Sequence, residues 1–150
     1  MIARGNNQER KIFVLGKNPK NENEYMIYNL ETGKSINVDN KEGFGIIYGS
    51  KYLVYGDKFS SDQSEFTFYS QDLEKLSYSV SKDTYNVYSL NDKWIIKQDK
   101  NTKQLYLVDI TSGEEKELDI KVSESDTVQA SNATSIVIKN NSSYKFYRIK

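Results

Sequence analysis

A strand pattern that returns about every 40 residues constrains this chain more than any other feature. The segments KIFVLGK from Lys11, KYLVYGD from Lys51, KWIIKQD from Lys93 and SIVIKNN from Ser135 align at spacings of 40, 42 and 42 residues. A second series runs YMIYNLETGK (Tyr25 to Lys34), FTFYSQDLEK (Phe66 to Lys75), LYLVDITSGEE (Leu105 to Glu115) and a cut-off YKFYRIK (Tyr144 to Lys150). The residues before its apolar runs, Glu24, Glu65, Gln104 and Ser143, lie 41, 39 and 39 apart. Two independent signals keeping one period are hard to obtain by chance, and this period is that of a four-stranded propeller blade.

Residues 44 to 80 spell out one unit. FGIIY (Phe44 to Tyr48) reads as a first strand, Gly49-Ser50 as a turn, KYLVYG (Lys51 to Gly56) as a second strand and Asp57 to Ser64 as a polar loop. EFTFYS (Glu65 to Ser70) and KLSYSV (Lys75 to Val80) follow as third and fourth strands around the turn QDLE. Segments rich in Tyr, Phe, Val and Ile between Gly, Ser, Asn and Asp are what strands look like. The next unit repeats the order through YNVYS, KWIIK, QLYLVD and EKELDI. The second strands are nearly continuous in apolar residues, which suits an inner position. The third strands alternate, which suits a place nearer the edge. No stripe has helical spacing, and DLEKL (Asp72 to Leu76) falls on a turn, so no helix is expected.

The expected architecture is all-β: a β-propeller-type array of about four four-stranded antiparallel blades in a single domain, residues 1–150. The units fall near 1–42, 43–83, 84–125 and 126–150, with incomplete blades at both ends. The first unit has only the short Ile2 to Arg4 as its first strand, and the last stops without a fourth.

Composition limits the chemistry. Hydrophobic residues make up 37% and charged ones 28%, and 12 Tyr and 6 Phe supply the large surfaces that such a polar chain needs for a core. There is no Cys and no His. Disulfides, thiolate chemistry and the commonest zinc ligand and general base are thereby excluded, so no cofactor or metal is expected. Lys plus Arg and Asp plus Glu balance at 21 each, which gives no global field toward nucleic acid. The charge is uneven, however, with basic ends and an acidic stretch from Glu114 to Asp126. No apolar run approaches the roughly 20 residues that span a bilayer, and MIARGNNQER is too polar for a signal peptide.

The third-strand, turn and fourth-strand signature YMIYNLETGKSINV, echoed by LYLVDITSGEEKELDI, resembles the repeats of bacterial propellers of the TolB-like and surface-layer YncE-like (PQQ-like) kinds. The match lies on Asn29-Leu30-Glu31-Thr32-Gly33 and Asp109-Ile110-Thr111-Ser112-Gly113. The second unit departs, with Ser70 at the Asx place and Glu74 at the Gly place. The resemblance implies a propeller fold and an extracytoplasmic or cell-surface setting, and leaves function open, because such folds serve many roles. In the motif itself, Asx caps its own turn and Gly takes the left-handed conformation, letting the two outer strands pair with a bulge.

Function is therefore sought in the loops and chain ends. Loops on one propeller face share a Lys, Asp and Asn character, and the candidate ligand or partner residues there are Asp57, Lys58, Lys82, Asp83, Tyr85, Asp99 and Lys100. In YKFYRIK, Tyr144, Phe146 and Arg148 fall on one side of the strand as a candidate assembly edge. The same mix of aromatic and basic residues could stack bases, but reads more simply as an alternating strand. The leading expectation is a non-enzymatic binding or scaffold module that presents loops to a protein or glycan partner. One alternative is a fragment of a glycan-active propeller enzyme with Asp and Glu as acid and base; SSDQSEFTF (Ser60 to Phe68) only faintly matches a sialidase Asp-box. The other is an assembly unit that completes a larger ring, as a homo-oligomer or within a larger parent protein, through its chain ends.

Overall fold

A computed structural model of the chain describes residues 2–3, 13–38, 44–46, 52–55, 64–90, 92–132 and 135–149. They form four small antiparallel sheets, with no helix among the described residues. The first sheet is β1 (Ile2–Ala3), β2 (Phe13–Asn18), β3 (Asn21–Asn29) and β4 (Ser35–Val38). The second is β5 (Phe44–Ile46), β6 (Leu53–Tyr55), β7 (Glu65–Tyr69) and β8 (Lys75–Ser81). The third is β9 (Tyr85–Ser89), β10 (Trp94–Asp99), β11 (Leu105–Asp109) and β12 (Glu115–Leu118). The fourth has three strands, β13 (Thr127–Asn132), β14 (Ser135–Lys139) and β15 (Tyr144–Arg148). Each sheet is a meander whose spatial order follows the chain.

One turn design recurs at the hairpins. Asn29 begins the β3–β4 turn: its Oδ1 accepts from the backbone N–H of Glu31 (2.8 Å) and Thr32 (3.2 Å), while Gly33 donates to the Asn29 carbonyl at φ 73°. Asp109 does the same in the β11–β12 turn for Thr111 and Ser112, with Gly113 at φ 77°. Asp99 builds a third copy between β10 and β11 with Asn101 and Thr102, and there Lys103 takes the left-handed place at φ 65°. Asx oxygens satisfy turn N–H groups that strands leave over, which is why these residues sit where each strand must stop.

Several expectations need correcting. In the second sheet the left-handed residue is Leu73 (φ 58°), not Glu74: the turn from Ser70 is one residue shorter, so matching letters shifts the register. The β3–β4 and β11–β12 pairs run without a bulge, and the irregularity lies instead between Thr67 and Tyr69, beside the shorter turn. Only the turn Pro19–Lys20 separates β2 from β3. β10 runs past the apolar KWIIK segment to Asp99. Second and third strands are both interior in the four-stranded sheets.

Side chains alternate across each strand, so a sheet can bury both faces, and the core falls into three layers. Phe13, Leu15, Ile27 and Val38 meet Leu53, Tyr55 and Leu73 between the first and second sheets. Phe66, Phe68 and Val80 meet Ile95, Val108 and Ile110 between the second and third. Ile96, Leu105 and Leu107 meet Val128, Ile136 and Ile138 between the third and fourth. The second and third sheets are thus covered on both faces, and the end sheets contribute one face each to these layers.

Candidate functional site

The loop candidates of the third sheet do come together. The β8–β9 turn (Lys82 to Thr84) lies beside the β10–β11 turn: Lys100 N–H donates to the Thr84 carbonyl (2.9 Å), Lys100 Nζ donates to the Lys82 carbonyl, and Asp99 pairs with Tyr85. Lys82 is buried, with its ammonium 5.9 Å from the Phe66 ring centroid. Backbone N–H groups of Thr102 and then Asn101 hold the Asp99 carboxyl below its usual range. Tyr85 packs into the second core layer, and Asp83 is exposed. Asp57 and Lys58 lie outside the described residues. Apart from Asp83, the polar groups named here are engaged in holding two turns and two sheets together.

A charged cluster that the sequence did not announce lies between the second and third sheets. Lys97 points into the layer, its Nζ 4.2 Å from the Tyr85 ring centroid and 5.3 Å from that of Tyr106, and pairs with Glu115. Glu115 also accepts from Tyr78 Oη across the layer (3.0 Å). Burial, and then that hydrogen bond, push the Tyr78 hydroxyl's pKa up. The available signal was a lone Lys in the apolar run KWIIK, since a buried ammonium needs partners. Nearby, Lys93 Nζ meets Asp109 Oδ2 at 2.8 Å. Among the described residues no group of three or more acids could hold a metal ion, and no helix is long and apolar enough to cross a membrane.

The two end faces of the stack behave differently. Among the described residues the exposed large hydrophobics are Leu30, Tyr144 and Phe146, at 61, 57 and 72% exposure. Pairing register shows what these positions do elsewhere. Val137 pairs with Phe146 as Ile96 pairs with Leu107, so Tyr144 and Phe146 correspond to Leu105 and Leu107, which are 0 and 9% exposed against the next sheet. Leu30 follows Asn29 as Ile110 follows Asp109, and Ile110, 1% exposed, lies in the layer toward the preceding sheet. In the second sheet the corresponding Gln71 also reaches the preceding sheet: its carbonyl accepts from Asn29 Nδ2, and its Nε2 donates to Glu31 (3.0 Å). The three exposed side chains thus stand where a neighbouring sheet would cover them. Arg148 shares the Tyr144 and Phe146 face by alternation and is exposed.

Comparison with known proteins returns no matching family model, no matching curated protein and no matching solved structure.

Proposed function

We propose that the protein is a non-enzymatic scaffold of propeller-type blades that works through protein contact on the outer faces of its end sheets. The observation that carries this reading is the exposure of Tyr144 and Phe146 at positions whose counterparts in the third sheet are buried. Single exposed hydrophobics are ordinary on a protein surface. An apolar pair on one strand face, at positions built for packing, marks a contact surface.

Two further observations favour contact over catalysis. Glycoside hydrolysis needs one carboxyl raised into the neutral range to act as general acid, and Asp99, Asp109 and Asp126, shifted down by hydrogen bonds, are three carboxyls that do not fit that part. The loop cluster, the other place for a protein or glycan ligand, spends most of its polar groups on internal bonds. The test is an apolar fluorescent dye titrated into fractions that scatter as monomer, alongside a panel of chromogenic glycosides. Dye binding that disappears in the Tyr144→Ser/Phe146→Ser variant, with no glycoside turnover, is the expected result. A monomer that ignores the dye, or any turnover, overturns the reading.

A further inference from the structure

The outer face of the first sheet is the counterpart of the exposed face on the fourth. By alternation β3 turns Met26 and Tyr28 outward together with Glu24, to which Asn18 Nδ2 donates at 2.8 Å, and Leu30 projects from the adjoining turn. Register equates Met26, Tyr28 and Leu30 with Tyr106, Val108 and Ile110, the set with which the third sheet packs onto the second. The fourth sheet offers Tyr144 and Phe146, with Lys139 and Arg148 on the same side and the Lys139 ammonium 5.6 Å from the Tyr144 ring centroid. One face is therefore apolar with an acidic residue, Glu24, and the other aromatic with basic residues. They have the registers of a preceding-side and a following-side packing surface, and each leaves large apolar side chains exposed, Leu30 on the first and Tyr144 and Phe146 on the fourth.

From this complementarity we infer that the occupant of the fourth-sheet face is a second copy of this chain, docked by the outer face of its first sheet. The inference rests on the contact-scaffold reading above and specifies its partner. The contact is head-to-tail: it joins two different surfaces, continues the sheet stacking seen inside the molecule, and brings Glu24 to the end of the opposite face where Lys139 pairs with Tyr144. Two copies making it reciprocally close a ring in which Leu30, Tyr144 and Phe146 of both are covered.

Light scattering on the size-fractionated full chain tests this across protein concentration and at low and high salt. The expected mass rises to twice that of the monomer with concentration, and the apparent Kd weakens several-fold in high salt because the paired charges are screened. Leu30→Glu and Phe146→Glu should each scatter as monomers with unchanged thermal unfolding, since both side chains are exposed in the single copy. Mixed together, the two variants should pair again, because Leu30→Glu retains an intact fourth-sheet face and Phe146→Glu an intact first-sheet face. Loss of pairing in Phe146→Glu but not in Leu30→Glu would mean like faces meet and overturns the head-to-tail contact. Growth past two copies overturns the closed ring. A monomer at every concentration overturns the second-copy partner; if that monomer binds the dye the scaffold reading survives, and if it does not, both fall.

Discussion

Burial would raise the Asp109 carboxyl, but hydrogen bonds from Lys93 and Thr111 and from the backbone N–H groups of Thr111 and Ser112 outweigh it and hold the group at about 2. A depressed carboxyl stabilises the fold above its unfolded value of 3.8, and that contribution is lost as pH falls through the folded value. Asp109 should therefore supply up to about 2 kcal/mol at neutral pH, disappearing between roughly pH 4 and pH 2. Urea unfolding at pH 7 and at pH 2.5 should show Asp109→Asn less stable than the parent at the higher pH and the gap reduced to about a third at the lower. An equal gap at both would assign the loss to geometry rather than charge. At the same scale, Gly113→Ala should cost about 1 kcal/mol from its left-handed backbone alone, because the added methyl meets only Tyr78 at an ordinary 3.7 Å. Lys103→Gly, at the same place in a matching turn, should stabilise by about 0.5–1 kcal/mol, read as a rise in the urea midpoint. The Asx and Gly turns were legible as letters. Leu73 and Lys103 were not, because neither is a residue type that marks a left-handed position; for Leu73 the cause is tertiary, since it is buried against the first sheet.

Strand alternation made the elements readable, since a run such as EFTFY carries the period of two in its letters. What letters do not carry is which sheet each face meets, and identical positions then differ in value. Ile110→Ala should cost about 2–4 kcal/mol, because it empties a wholly buried site between the second and third sheets. Leu30→Ala, at the corresponding turn position of the first sheet, should change monomer stability by less than about 0.5 kcal/mol. Chemical unfolding of dilute protein measures both, and a comparable loss at Leu30 would mean that the first sheet is already covered. The Lys97 cluster escaped sequence reading for the same reason. Tyr85, Tyr106, Glu115 and Tyr78 come from four strands of two sheets, and no local pattern announces their convergence. Lys82, Asp83, Asp99 and Lys100 lie in adjoining turns, and their employment in turn bonds depends on how β8 and β9 pass from one sheet to the next.

At the scale of the molecule, the period of about 40 residues made four sheets countable, whereas closure is a long-range property that a local period does not encode. Each sheet packs on its chain neighbours, so stability should be distributed as in other nearest-neighbour arrays. The third sheet is covered on both faces and the fourth on one. Opening β14 and β15 sacrifices one core layer, whereas opening β10 and β11 sacrifices two. Native-state hydrogen exchange on dilute, monomeric protein should therefore show the slowest amides in β10 and β11, with β2 and β14 exchanging through openings of lower free energy. Raising the concentration until copies pair should slow exchange in β2, β3, β14 and β15 and leave β10 and β11 unchanged, since only the end faces gain a neighbour. Protection in β14 equal to that in β10 in the dilute monomer would mean that the fourth sheet is already covered within one chain. The Tyr144 and Phe146 face would then be a closed seam rather than a contact surface.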